Sequence, residues 1–302
     1  MKWRNIPCLL ALIFAAAPVV RAESPSTQPA AFMRFVEERN GPSRLEAATV
    51  TYRNDDGVSV SLIGAIHIAD PDFFRGLDES FDHYDALLYE MVKAKDGPAT
   101  PTKGQKSTHW IGRMQQFMKD KLGLVYQLDE IDYDKPNFVH ADMNWEDFSQ
   151  AQDDRGENML MLSIKSALRG EGNMDPAING FTILGALASP DSEYHLKYLM
   201  ARMFAQADGP MDAMADDTVI ITERNKAALK VLGEQIDAGK KNIGIFYGAG
   251  HLKTMEETMV KEMGFRRIGT TWRTAWDLGL PPAKEEPATK PVKATAAPAT
   301  KP

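Results

Sequence analysis

The segment VSVSLIGAIH, residues 58–67, decides the fold, because it predicts a buried strand that stops at a histidine. Residues Val58 to Ile66 are rich in apolar and β-branched side chains. An Asn-Asp-Asp-Gly turn at residues 54–57 separates them from a second predicted strand, Thr49 to Arg53. The two runs predict a β-hairpin, and the predicted helix that follows, Phe73 to Phe81, begins an alternation of strands and helices.

The step GAIH at residues 64–67 recurs as GAGH at residues 248–251. Each copy ends a predicted strand and precedes a predicted helix. Gly64, Gly248 and Gly250 are expected to let the backbone turn tightly and to leave room beside the imidazoles of His67 and His251. Because ligands of open α/β sheets bind beyond the carboxyl ends of the strands, we expect both histidines at one crevice.

The rest of the chain alternates strands with longer helical stretches. Further strands are predicted at residues 85–91, 243–247 and 265–276, and helices at 110–122, 145–168, 191–207, 217–238 and 252–263. This alternation predicts an α/β fold with a central, mostly parallel or mixed sheet flanked by helices. The two strand-GxxH-helix units would meet at one crevice of that sheet.

Composition predicts one domain, residues 46–280, between unstructured ends. Residues 1–22 join a short basic start to an apolar run, which predicts a secretory signal peptide and a periplasmic or secreted protein. Residues 23–45 predict a flexible leader, and residues 281–302, almost wholly Pro, Ala, Lys, Thr and Glu, predict a disordered tail. No later apolar stretch is long enough to cross a membrane, so no membrane span is expected in the mature protein.

Charge and absent motifs exclude several classes of function. The formal charge is −7, and loss of the three basic side chains of the signal peptide makes it about −10, which argues against a nucleic-acid partner. The sole cysteine, Cys8, leaves with that peptide, so the mature chain has no disulfide and no thiol nucleophile. A phosphate-binding glycine loop, a G-x-S-x-G elbow and an H-E-x-x-H motif are all absent from the sequence.

Glu90 is the third candidate for chemistry, because it ends the apolar run ALLYE at residues 86–90. A carboxylate there is costly unless it is paired, binds a metal or faces the crevice. Two histidines and one carboxylate are a common ligand set for a catalytic divalent cation, so His67, Glu90 and His251 are predicted metal ligands. The alternatives are structural histidines and a salt bridge between Glu90 and an arginine.

Glu223 and Arg224 open the polar part of an otherwise apolar helix. One of these side chains is expected to point inward, and Arg224 could pair with Glu90 or stabilise an oxyanion on the substrate. A surface helix with ordinary charges explains the pattern equally well. His140 and Asp142 lie in a predicted connection after a run of turn residues. They are expected to hold the metal-binding side chains in place without binding the metal themselves.

Together, GAIH at 64–67, the strand-terminal Glu90, ERN at 223–225 and GAGHL at 248–252 resemble the TraB/PrgY/GumN family, which includes the Tiki proteases. The resemblance implies an α/β fold shared with haem-binding ChaN-type lipoproteins and erythromycin esterases. It also implies peptide cleavage dependent on manganese or cobalt, with His67, Glu90 and His251 at the metal. The Glu-Arg pair of the wider family supports a catalytic role for Glu223 and Arg224.

The sequence therefore predicts a hydrolase dependent on manganese, cobalt or zinc, and in particular a Tiki-like peptidase that acts on an extracytoplasmic peptide. One alternative is a metal-independent, esterase-like hydrolase of a small molecule, with His67 as the general base. Erythromycin esterases carry a glutamate three residues before the first histidine, and Gly64 in that place weakens this alternative. The other alternative is a protein without catalytic activity that binds a peptide or haem in the same crevice.

Overall fold

A computed structural model of the protein describes residues 31–38, 41–95, 121–155, 180–205 and 219–282. The described strands are β1 (Met33–Val36), β2 (Arg44–Arg53), β3 (Ser59–Ala65), β4 (Ile68–Ala69), β5 (Ala86–Tyr89), β6 (Val125–Tyr126), β7 (Phe138–His140), β8 (Asn242–Gly248) and β9 (Arg266–Asp277). The described helices are α1 (Pro71–Phe81), α2 (Gln127–Glu130), α3 (Trp145–Arg155), α4 (Gly180–Ala188), α5 (Ser192–Phe204), α6 (Val219–Asp237) and α7 (Ala249–Lys261). None of these helices is both long enough and apolar enough to cross a membrane.

Seven strands form one mixed sheet with a parallel centre. Strands β3, β8, β5 and β7 lie side by side in that order, and each neighbouring pair is parallel. Strand β2 runs antiparallel to β3 along one edge and antiparallel to β9 along the other. Strands β4 and β6 form a separate two-stranded ribbon. The predicted α/β fold with a mixed, largely parallel sheet is confirmed.

Alternate residues of the central strands face two separate hydrophobic cores. On β3, Ile63 packs into the core that also holds residues of α1 and α5, whereas Val60 and Leu62 pack into the core that holds residues of α6 and α7. Every residue of β3 from Val60 to Ala65 is buried. Burial on both faces explains why this strand is a nearly continuous apolar run and not an alternating one.

The flexible leader predicted for residues 23–45 is wrong where the structure describes it. Strand β1 pairs antiparallel with the start of β2, from Met33 opposite Ala47 to Val36 opposite Arg44. Strand β2 itself begins at Arg44, earlier than the predicted Thr49. Hydrogen bonds to β2 hold this short segment as a strand. Its composition does not predict a strand, because the surrounding residues are rich in Ser, Pro and Ala.

Several other predictions are corrected or fall outside the described residues. His140, predicted in a connection, ends β7, because this short strand gains its hydrogen bonds from β5. Helix α4 was not predicted, since its sequence GFTILGALA is apolar all round and carries no helical period. The signal peptide, most of the helix predicted at 110–122, the second half of the helix predicted at 145–168 and the tail beyond residue 282 lie outside the described residues.

The parallel order of β3, β8, β5 and β7 brings their carboxyl ends to one edge of the sheet, which we call the carboxyl edge. His67 follows β3, Glu90 follows β5, and His140 ends β7. His251 lies in the first turn of α7, directly after β8. The crevice predicted from the sequence therefore corresponds to a real edge where four chain segments meet.

Candidate functional site

Glu90 is held at the carboxyl edge by hydrogen bonds to both oxygens of its carboxylate. The backbone N–H of Gly248 donates to Oε2 at 2.6 Å, and Nη2 of Arg224 donates to Oε1 at 2.7 Å. Gly248 is also the residue from which α7 starts, and the N-terminus of a helix favours a negative charge. A Cβ at Gly248 would lie 3.2 Å from Oε2, so glycine at this position permits the close approach of the carboxylate.

Arg224 joins Glu90 to a second buried carboxylate, that of Asp142. Nε of Arg224 donates to Oδ1 of Asp142 at 2.8 Å, and Nη2 donates to Oδ2 at 2.6 Å. The side chain of Asp142 is 0% exposed, and that of Arg224 is 9% exposed. This forked ion pair connects the end of β5, the segment after β7 and helix α6 into one network.

His251 is oriented by Asn225, the residue that follows Arg224 on α6. The Asn225 side-chain amide donates to the backbone oxygen of His251 at 3.0 Å, and its Oδ1 lies 2.7 Å from Nδ1 of the imidazole. Because Oδ1 can only accept, Nδ1 must carry the proton and Nε2 is left with a lone pair. Nε2 lies 3.7 Å from Oε1 of Glu90. Glu90 and His251 are therefore neighbours, as the sequence predicted.

A pocket of about 190 Å³ opens at this edge. Its lining includes His67, Glu90, Met91, Gln127, Leu128 and Arg224. His67 is exposed, and its backbone oxygen accepts the N–H of Gln127 at 3.0 Å, which ties the end of β3 to α2. His251 is buried next to Glu90 and is not part of the lining.

The electrostatics of this group favour an ionised carboxylate beside a neutral imidazole. Burial alone would raise the pKa of Glu90, but attraction to the His251 imidazole when it is protonated, attraction to Arg224 and the Gly248 hydrogen bond outweigh it, so the pKa lies below its ordinary value. Burial lowers the pKa of His251 to about 4. Two carboxylates against one guanidinium leave the buried group with an excess of one negative charge.

The other predicted site residues occupy less central places. Oε1 of Glu223 accepts from the exposed Lys226 at 2.9 Å, and Glu223 does not line the pocket. Nε2 of His140 lies 2.7 Å from the backbone oxygen of Met91 and so supports the pocket wall from outside. A Cβ at Gly250 would meet nothing within 4 Å, so packing does not require glycine there.

Gly64 has a structural reason at the other GxxH step. A Cβ at this position would lie 3.2 Å from the backbone oxygen of Ala48 and 3.3 Å from that of Phe32. Glycine therefore allows the neighbouring backbone to approach closely. The atoms nearest to a Cβ at Gly64 belong to Ala48, Phe32 and Ala47, so the contact explains this glycine without the predicted space beside the ring of His67.

The side chains of His67, Glu90 and His251 are of the types that bind a divalent cation, but their donor atoms do not surround one point. His251 presents the Nε2 lone pair with its other nitrogen bonded to an amide oxygen, which is the usual arrangement of a metal-binding histidine. The excess negative charge beside it also suits a cation. Among the described residues, however, no group of three or more His, Cys, Asp or Glu side chains lies close enough together to hold a metal ion.

Comparisons with known proteins add no relative. The chain matches no protein-family model, and no curated protein or solved structure is significantly similar to it. The resemblance to the TraB/PrgY/GumN family therefore stays a prediction that depends on short motifs.

Replacing Arg224 by Met is expected to lower the free energy of unfolding by about 3–5 kcal/mol at pH 7, because two buried carboxylates then face each other without a counter-charge. Urea unfolding measures this change. Lys226→Met is the matched control two residues further along α6: its ion pair with Glu223 is exposed, and its loss should change stability by less than about 0.5 kcal/mol. Equal stability of the two variants would show that the two buried carboxylates do not need Arg224 as their counter-charge.

The pH dependence of stability should report the burial of neutral His251. In the unfolded chain the imidazole of His251 takes up a proton below about pH 6.5, its ordinary pKa, whereas in the folded protein its pKa is about 4. Stability from this residue is thus complete above pH 6.5 and is lost as the pH falls to about 4, by roughly 3 kcal/mol. Thermal or urea unfolding across this range, with a chelator present, should show a flatter profile for His251→Gln. A profile for His251→Gln as steep as that of the control His83→Gln would contradict this account.

Proposed function

We propose that this protein is a metal-assisted hydrolase that cleaves an extracytoplasmic peptide in the pocket beside Glu90. The observation that carries the proposal is the pairing of an ionised Glu90 with His251, whose Nε2 lies 3.7 Å from Oε1 of Glu90. Glu90 lines a pocket that His67 also lines, and His251 is buried behind it. Burying an Arg-carboxylate network of this kind costs free energy, and such costs are common at functional sites.

His67, Glu90 and His251 are the residues that would hold the cation, which we expect to be manganese, cobalt or zinc. When bound, such a cation supplies a water of lowered pKa and polarises the carbonyl group to be attacked. His251 offers Nε2, and Glu90 offers the lone pairs that remain on its two oxygens. His67 is exposed, so its imidazole can rotate towards the other two donors and complete the set.

Arg224 has two roles in this proposal. Its Nε and Nη2 hold Asp142 and Glu90, which keeps the Glu90 carboxylate ionised and fixed in direction. Nη1 makes none of these bonds, and Arg224 lines the pocket, so Nη1 is the group that can donate to an oxyanion developing on the substrate. Asp142 then acts by positioning the guanidinium and does not itself touch substrate.

A metal-independent hydrolase is the alternative, and the arrangement of the possible metal ligands favours it. Both oxygens of Glu90 already accept hydrogen bonds, and the described donors are not gathered around one point. In that case His67, at the open side of the pocket, would take the proton from the attacking water, and Arg224 would keep its role at the oxyanion. The substrate could then be an ester or another small molecule.

Metal analysis of the purified mature protein tests the proposal most simply. We expect about one equivalent of manganese, cobalt or zinc to copurify or to bind on titration, and the variant with both His67→Ala and His251→Ala should bind it more than roughly tenfold more weakly. His83→Ala removes an exposed histidine that makes no contact with the pocket and is the control for nonspecific binding. Unchanged metal content in the double variant would reject the cation site.

Cleavage is measured by mass spectrometry on a mixture of unstructured peptides, with and without exhaustive chelation. Loss of cleavage on chelation and its return with manganese or cobalt would support the proposal. Cleavage that survives chelation but is lost in His67→Ala would support the metal-independent alternative. Saturable peptide or haem binding without any product would overturn both hydrolase proposals and leave a binding protein.

A further inference from the structure

A buried amide with an incomplete set of hydrogen bonds lies in the pocket wall. Gln127, the first residue of α2, is 6% exposed and lines the pocket together with His67 and Glu90. Its Nε2 donates to the hydroxyl of Tyr133 at 2.8 Å. Its Oε1 is buried and has no hydrogen-bond partner among the residues that the structure describes. No motif in the sequence points to this residue.

Turning the amide over does not remove the deficit. The hydroxyl of Tyr133 can donate or accept, but it reaches one polar atom of the amide at a time, so the other stays unpaired. The backbone of Gln127 cannot move to relieve it, because its N–H is bonded to the oxygen of His67 at 3.0 Å. Proteins keep few buried polar atoms without partners, and those they keep are often found where a ligand binds.

We propose that Oε1 of Gln127 accepts a hydrogen bond from a backbone N–H of a bound peptide and thereby selects peptides over esters. This inference rests on the proposed function, because it names the group that recognises the substrate of that same pocket. A peptide bond presents one N–H at each residue, whereas an ester presents none in its place. Met91 and Leu128, which also line the pocket, offer apolar surface for a neighbouring side chain of the peptide.

Access to the oxygen requires a small movement at the pocket. Oε1 is closed off from water, whereas His67 and Leu128, which line the same pocket as Gln127, are exposed. The proposal requires side chains at the pocket to rotate so that the oxygen is uncovered, and such rotation needs no change in the sheet. A ligand gains free energy here because it satisfies an acceptor that is already desolvated.

Two probes that differ at a single N–H test this proposal by NMR titration of the mature protein. They are N-acetyl-leucine N-methylamide and N-acetyl-leucine methyl ester. The wild type should bind the amide roughly two- to tenfold more tightly than the ester, as one hydrogen bond to a neutral acceptor predicts. Gln127→Met, which keeps the length of the side chain, should bind the two probes equally.

Tyr133→Phe is the matched control, because it removes the same internal hydrogen bond and leaves Oε1 of Gln127 in place. It should keep the preference for the amide. Equal binding of the two probes by the wild type would overturn the proposal, and so would a preference that persists in Gln127→Met. The wild-type comparison decides the matter even if Gln127→Met does not fold.

Glu90→Gln separates this inference from the proposed function. The substitution should abolish hydrolysis under that proposal, yet it leaves Gln127 unchanged, so the ratio of the two affinities should stay as in the wild type. A preference for the amide in a protein that cleaves no peptide would retain Gln127 as a recognition group and reject the hydrolase. Cleavage without any preference would reject the role of Gln127 alone.

Discussion

The buried guanidinium of Arg224 is the interaction on which the carboxyl edge depends. It neutralises part of the charge of Glu90 and Asp142, which lie at the ends of adjacent parallel strands. Without it, two carboxylates with little or no exposure would meet in a low-dielectric environment, and one would have to take up a proton. The same helix carries Asn225, so a single turn of α6 fixes both the carboxylate pair and the tautomer of His251.

This arrangement explains why the site is built on strand ends and not on loops. The parallel strands β3, β8 and β5 are buried on both faces, so the backbone of the residues that follow them has little freedom to move. A rigid frame can hold an ionised carboxylate beside a neutral imidazole down to a lower pH than in water, because the pKa of each group is lowered. The flexible contribution comes from His67, which is exposed at the pocket.

Much of the fold could be predicted because its signals are local. The apolar run that ends at Ile66, the turn at residues 54–57 and the repeated GxxH step lie within short windows. Strand β1 could not be predicted, since its stability comes from pairing with β2 and not from its own composition. The insertion of β8 between β3 and β5 pairs residues that are 183 and 157 positions apart, respectively, which no periodicity reveals.

The sequence predicts that Glu90, Arg224 and His251 come together but not the hydrogen bonds that join them. Sequence placed Glu90 and His251 together because both follow strands, and the structure brings them to 3.7 Å. It could not decide which of Glu223 and Arg224 points inward, because both positions are polar and adjacent on one helix. It placed Asp142 near the site without the forked bond to Arg224, and it missed Gln127, whose unpaired oxygen is visible only once its neighbours are known.

We propose that the carboxylate and imidazole fixed by Arg224 and Asn225 form a cation-binding centre. Anomalous diffraction from crystals grown with zinc or manganese tests this proposal most directly. The account predicts one strong anomalous peak at roughly 2 Å from an oxygen of Glu90 and from Nε2 of His251, with the ring of His67 turned towards it. A peak bound elsewhere, or no peak in crystals of a protein that still hydrolyses peptides, would contradict it.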